Sequence, residues 1–155
     1  MIYRSYIPAD FDRLYALEEV CFEPQSRFSR RFMRLLVQCS HAATWTAEEA
    51  GQIAGFAVVD WTEEGNCTTA YIQTVEVSPE ARGRGVGHEL LNRIEGSVRL
   101  AEARSIWLHV EEGNAAAIRL YEAQGFRYEG REEDYYQSGS AALIYVKRIG
   151  DEAAT

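Results

Sequence analysis

The stretch Val77-Ser78-Pro79-Glu80-Ala81-Arg82-Gly83-Arg84-Gly85-Val86-Gly87 carries the densest chemical signal in the chain. Glycine at 83, 85 and 87 removes the Cβ from alternate positions. A ligand can then approach the backbone closely, and the amides that open a following helix point outward with the positive end of its dipole behind them. Such a turn cradles a pyrophosphate, and Arg82 and Arg84 add positive charge. A P-loop needs Gly-Lys followed by Ser or Thr, but here Gly87 is followed by His88 and Glu89. The dinucleotide fingerprint G-x-G-x-x-G fits no better, because the spacing is G-x-G-x-G and a run of β-like segments precedes it. A plain strand-to-helix turn is the alternative. A second candidate is His109, whose side chain titrates nearest neutrality and lies in an apolar, strand-like segment. It reads either as a general base or as a hydrogen-bonded core residue.

The elements that position these residues follow from periodicity. Residues 1–7 read as a strand, and Pro8-Ala9-Asp10 offers helix-start chemistry. Leu14, Leu17, Val20 and Cys21 predict one face of a helix, and Phe32, Leu35 and Leu36 a second helix capped by Ser26 or Ser29. Residues 43–46, 53–61 and 68–77 predict three antiparallel strands separated by Glu- and Gly-rich turns. Val86, Leu90, Leu91, Ile94 and Val98 mark the inner stripe of a long helix after the glycines. A strand at 105–110, a short helix at 114–123 stopped by Gly125, and strands within 126–136 and 141–148 complete the order. The fold class is therefore α/β (α+β), a single layer of mixed, mostly antiparallel sheet with helices packed on it.

Composition bounds the function. The chain has 155 residues, 46% hydrophobic and 26% charged, with three prolines, which suits one domain over 1–149 and a frayed tail at 150–155. Its formal net charge of −8 argues against a broad nucleic-acid-binding surface. Lys147 is the only lysine. Cys21, Cys39 and Cys67 are odd in number and widely spaced, so neither a disulfide framework nor a metal site is expected. Without an apolar run of about 20 residues or a signal-like N-terminus, the expectation is a cytoplasmic protein with no membrane partner.

The R-x-x-G-x-G pattern at Arg82, Gly85 and Gly87 resembles the acetyl-CoA-binding motif of the GNAT superfamily of N-acetyltransferases. Asn114-Ala115-Ala116-Ala117-Ile118-Arg119-Leu120-Tyr121-Glu122-Ala123-Gln124-Gly125-Phe126 is similar to that family's N-x-x-A-x-x-x-Y-x-x-x-G-F signature. The resemblance implies a sheet of about seven strands flanked by four helices, and acetyl-CoA as co-substrate with no metal. Leu108-His109-Val110, Asn114 and Tyr135-Tyr136 most resemble the protein N-terminal α-amino acetyltransferases, including the ribosomal-protein-alanine type. His109 replaces the Glu of their bacterial L-E-V triplet. Together with Tyr71 it is instead like certain eukaryotic and archaeal N-terminal acetyltransferases.

The resemblance also implies roles. The amides of Val75 or Val77 hold the thioester oxygen as it gains charge. Arg82, Gly83, Arg84, Gly85, Val86 and Gly87 bind the pyrophosphate, and Asn114 binds the pantetheine arm or serves as an ordinary helix N-cap. His109 with Tyr71 positions a water that relays the amine proton, and Tyr121 protonates the leaving sulfur unless it merely packs the short helix. Phe22, Glu23 and Pro24 form one wall of a peptide slot and Tyr135 with Tyr136 the other, or both groups are packing residues. Glu111, Glu112, Glu132, Glu133 and Asp134 read as a field steering a cationic substrate or as solvated surface. Near neutral pH roughly 10% of an α-amino group is neutral, against under about 0.1% of a lysine amine, which favours an α-amine acceptor. A small cationic amine, such as a polyamine or aminoglycoside, is the second acceptor class. A non-catalytic acyl-CoA-binding module is the third reading. The expected state is a monomer or homodimer.

Overall fold

The structure, a computed structural model, describes residues 1–150. Residues 151–155 of the expected tail lie outside the described residues. The strands are β1 (Ile2–Ser5), β2 (Ala42–Glu49), β3 (Gln52–Glu64), β4 (Cys67–Val77), β5 (Ser105–Glu111), β6 (Arg127–Glu132) and β7 (Ala142–Arg148). The helices are α1 (Phe11–Cys21), α2 (Arg30–Gln38), α3 (Val86–Leu100) and α4 (Ala115–Ala123). Strand order is β1-β2-β3-β4-β5-β7-β6 in one seven-stranded sheet. β4 and β5 pair in parallel, while β1–β2, β2–β3, β5–β7 and β6–β7 pair antiparallel. The mixed sheet with four helices is the architecture expected above. Two compact units divide the chain, Met1–Asp60 with Gln73–Ser97, and Trp61–Ile72 with the residues from Val98 onward.

In the first unit, α1 and α2 bury Phe11, Leu14, Tyr15, Leu17, Met33 and Leu36 with Ile53, Phe56 and Val58 of β3. The Ser29 hydroxyl caps α2 by accepting from the Phe32 amide at 3.1 Å. Ser26 belongs instead to the preceding turn, its amide bonded to the Glu23 carbonyl. The expected apolar faces shift in both helices. Val20, Phe32 and Leu35 are exposed, and Met33 takes the inward position in α2. Helix α2 is short and arginine-rich, so its core stripe is only one residue wide per turn, and Phe32 instead packs on Phe28 with ring centroids 5.2 Å apart. The α3 stripe is as expected, with Val86, Leu90, Leu91, Ile94 and Val98 all buried. A Cβ on Gly55 of β3 would stand 2.8 Å from the Glu76 carbonyl oxygen of β4 and 3.1 Å from Val86 Cγ1 of α3. Only glycine fits there.

This unit buries three carboxyl groups. Asp10, fully buried, accepts both Arg4 guanidinium nitrogens at 2.8 Å, Arg13 at 2.8 Å and the Ile7 amide at 2.9 Å. Its hydrogen bonds with Arg4 hold its pKa below the ordinary carboxylate range. Glu18 and Glu76 are buried and meet side chain to side chain. Glu18 Oε2 accepts from the Phe28 amide at 2.9 Å, and Glu76 Oε2 from the Thr74 hydroxyl at 2.8 Å. Each Oε1 lacks another donor. A single proton on Glu76, donated to Glu18, satisfies both. Burial, then the hydrogen bond and charge of Glu18, pushes the Glu76 pKa up to about 10. Cys21 feels the charges of both carboxyl groups, and burial, then the Glu76 charge, pushes its thiol up.

In the second unit, β5 buries Ile106, Leu108 and Val110 on one face and turns Ser105, Trp107 and His109 to the other. Antiparallel pairing with β7 runs the full length of β5, from Ser105↔Arg148 to Glu111↔Ala142. The expected strand within 126–136 ends at Glu132. A loop follows, in which Asp134 takes φ 50° and Gly139 φ 89°. Gly125, with φ 94°, stops α4 as expected, and the Phe126 amide reaches back to the Tyr121 carbonyl at 3.0 Å.

Candidate active site

Five side chains from β4, β5, β6 and the β6–β7 loop converge in the second unit. The β4–β5 register sets Tyr71 directly opposite Trp107, so Tyr71 stands beside the face that carries His109. The Tyr71 hydroxyl lies 2.8 Å from His109 Nδ1. Tyr135 stacks on the imidazole with centroids 4.4 Å apart and 19° between planes, its hydroxyl 3.4 Å from the same Nδ1. Trp107 packs edge-on against both Tyr71, at 4.6 Å, and His109, at 5.2 Å. On the far side of the ring, Nε2 meets a Glu132 carboxylate oxygen at 3.0 Å. The His109 side chain is 10% exposed and the Glu132 side chain 48%. An imidazole held at both nitrogens, with a phenol at one and a carboxylate at the other, is equipped to accept and pass on a proton.

Tyr121 on α4 is buried against Phe126, and burial pushes its phenol well above the ordinary value, so it remains protonated at neutral pH. Tyr136 is half-buried, and burial, then Tyr135 and Glu111, pushes it up to about 12. Tyr135 and Tyr136 themselves meet edge to face at 4.9 Å. The Asn114 side-chain oxygen Oδ1 accepts from the Ala117 amide at 3.2 Å, an N-cap that gives α4 its start.

The glycine turn lies in the first unit. Pro79–Ala81 form one turn of 3-10 helix, then Gly83 and Gly85 take φ 78° and 81°, and α3 begins at Val86. Those left-handed conformations favour glycine. A Cβ built on either glycine meets no atom within 4 Å. The backbone there is open to an approaching group, and the first amides of α3 have no partner within the helix. Open backbone ahead of a helix N-terminus is a geometry that can receive an anion. Arg82 donates to the Val77 carbonyl at 3.1 Å, and Arg84 forms a two-pronged pair with Glu49 at 2.6 and 3.0 Å. β4 continues past Tyr71, where its ladder with β5 stops, to the half-buried Val75 and Val77. Phe22, Glu23 and Pro24 make the turn after α1, in which Arg27 donates to the Phe22 carbonyl at 2.9 Å.

Tyr71, His109 and Tyr135 thus gather in one cluster, and Glu132 joins it. Sequence spacing reads Glu132 as one charge in an acidic run. Only the pairing of β6 with β7, and of β7 with β5, carries it to His109, and no local pattern signals that. Two further members of the acidic run are held by one arginine. Arg131 pairs with Glu112 at 2.5 Å and with Glu133. Among the described residues, no group of three or more His, Cys, Asp or Glu side chains is placed to hold a metal ion. Among them, too, no helix is long and apolar enough to cross a membrane.

The model of the acetyltransferase (GNAT) family matches residues 11–126. The chain is similar to streptothricin acetyltransferase of Streptomyces lavendulae, 36% identical over 87 residues, covering 56% of this chain and 45% of that one. It is also similar to the N-alpha-acetyltransferase RimI of Mycobacterium tuberculosis, 29% identical over 106 residues, covering 68% and 65%. This chain therefore spans less than two thirds of the length of either relative. Among solved structures, the ribosomal-protein-S18-alanine N-acetyltransferase of Escherichia coli superposes with a TM-score of 0.84 at 24% identity, over 97% of this chain and 94% of that one.

Proposed function

We propose, from the premise that the chain belongs to the acetyltransferase (GNAT) family, that it transfers an acetyl group from acetyl-CoA to the α-amino group of a protein or peptide N-terminus, with residues 1–149 as its catalytic domain. The observation that carries this reading is the 2.8 Å contact between the Tyr71 hydroxyl and His109 Nδ1, with Tyr135 stacked on the same ring. Similarity to an N-alpha-acetyltransferase supports it.

Acetyl-CoA supplies the acyl group already activated as a thioester. The residues of this chain have three remaining tasks. First, the glycines at 83, 85 and 87 and the amide of Val86 hold the pyrophosphate, with Arg82 and Arg84 beside them. Asn114 holds the pantetheine arm, and the amides of Val75 and Val77 receive the carbonyl oxygen as it gains charge. Second, as the new C–N bond forms, the amine nitrogen gives up a proton, and His109 Nδ1 takes it through the Tyr71 hydroxyl or a water that Tyr71 positions. Third, as the C–S bond breaks, Tyr121 gives its phenolic proton to the departing sulfur, a role suited to a phenol that burial keeps protonated. Tyr135 and Tyr136 contact the peptide, and Phe22, Glu23 and Pro24 are further peptide contacts.

Similarity to streptothricin acetyltransferase favours a second reading, with a small cationic amine as acceptor. Thiol release from acetyl-CoA, followed with peptides bearing free or blocked N-termini and with a panel of small cationic amines, separates the two. Turnover that needs a free α-amine is the expected result. Turnover confined to small amines replaces the first reading by the second, and acetyl-CoA binding without turnover leaves a non-catalytic module. Given peptide turnover, His109→Ala is expected to lower kcat by about 10²–10⁴-fold, and an unchanged kcat removes His109 as the base.

A further inference from the structure

We infer that Glu132 is a positioning residue that selects one tautomer of His109 and thereby makes Nδ1 the basic atom of the site. The inference rests on the reading of His109 as the base, and it follows from counting donors. A carboxylate only accepts hydrogen bonds, so the imidazole nitrogen 3.0 Å from Glu132 must carry the hydrogen. A neutral imidazole has one N–H, so Nδ1 is left with its lone pair. The Tyr71 hydroxyl at 2.8 Å then donates to that lone pair, while the Tyr135 hydroxyl lies 3.4 Å from the same atom on a ring stacked over the imidazole. In the opposite tautomer the Nε2 lone pair would face the carboxylate, two acceptors with no hydrogen between them. Glu132 disfavours that state.

A register irregularity in β6 puts Glu132 where it can do this. His109 pairs with Ile144 of β7, and Ile144 with Gly130 of β6, so these three residues form one row and share a face. Between Tyr128 and Gly130 the pairing slips by one residue. A one-residue slip reverses which side chains face which way. Without it Glu129 would occupy the row of His109, and Glu132 would point to the opposite face. With it Glu132, two residues beyond Gly130, shares the His109 face. The residues of that face nearest to it are small, Gly130 in its own strand and Ala142 opposite it in β7.

Long-range ¹H–¹⁵N correlation on histidine-labelled full-length protein at pH 8 reads the tautomer directly. In the wild type, hydrogen is expected on Nε2 of His109. In Glu132→Ala a mixture of tautomers is expected, together with a fall in turnover at saturating substrates of about 10-fold. Glu132→Gln, whose amide can present either its oxygen to Nε2–H or its NH2 to the Nε2 lone pair, no longer selects a tautomer and is expected to show the same mixture and the same fall. Hydrogen on Nδ1 in the wild type overturns the inference, as does an unchanged tautomer in Glu132→Ala. If the wild type has the expected tautomer yet acetylates no amine, the proposed function fails and the positioning role stands. If acetylation proceeds but the tautomer is the other one, the reverse holds.

Discussion

Glu18 and Glu76 in the first unit keep 1% and 3% of their surface, whereas the Glu132 side chain in the second unit keeps 48% of its own in water. Each of these carboxyl groups is hydrogen-bonded to another ionisable group, and the outcomes are opposite. In the dry pair one member must carry a proton, because two adjacent charges away from water cost more than the structure can recover. At His109 the Glu132 carboxylate keeps about half of its side-chain surface in water and meets the imidazole Nε2 at 3.0 Å. Asp10 is a third case, fully buried yet ionised, because two guanidinium groups and an amide replace the water it lost. Burial alone does not decide the state of a carboxyl group. The number and sign of its partners do.

The most severe way to break this contrast is to remove Asp10. Asp10→Ala leaves Arg4 and Arg13 without their shared partner and is expected to lower the unfolding free energy by about 3 kcal/mol, read from urea denaturation. Because Arg4 holds the folded-state pKa of Asp10 below its ordinary value, that stabilisation is present above the ordinary carboxylate range. It is lost as pH falls through the folded-state value. A loss below about 1 kcal/mol would class Asp10 with surface carboxylates.

Near pH 5 Glu76→Gln has a smaller effect than this, and the effect depends on pH. Glutamine still donates to Glu18 and accepts from Thr74 but cannot ionise. Since the folded-state pKa of Glu76 is raised to about 10, its contribution in the wild type is fully present below the ordinary carboxylate value and is lost as pH rises towards 10. The stability of the variant relative to the wild type is therefore expected to climb in melts from pH 5 to 9, by no more than about 1.4 kcal/mol per pH unit, the limit for one proton. A difference that does not change with pH would mean that the pair does not hold its proton. The smallest effect belongs to Glu49, an exposed partner of Arg84. Glu49→Ala is expected to change stability by less than about 0.5 kcal/mol. It also releases Arg84 and is expected to lower the KM for acetyl-CoA by about twofold at low salt, a gain that added salt removes.

Legibility in the sequence tracks the range of the interaction. Helix α3 could be read residue by residue, because five apolar positions at helical spacing record a face that one partner sheet buries. Helix α2 was legible as a helix but not in its orientation, since Phe32, Met33, Leu35 and Leu36 offer two overlapping stripes and packing against α1 and β3 chooses between them. In the cluster around His109, Tyr71, His109 and Tyr135 were nameable from the family resemblance. Glu132 was not, because its direction depends on a slip in the pairing of β6 with β7.

By itself the sequence determined the order of elements, the glycine turn at Gly83 and Gly85 and the two spaced family motifs. Each of these is written in the types of a few consecutive residues, through missing Cβ atoms, capping and periodicity. Only the tertiary structure decided which carboxyl groups lie in the dry core, which of them share a proton, and that Glu132 faces Nε2 of His109. Those outcomes depend on which atoms lose water and which strands share a row, and a chain settles both only when its distant segments close on one another.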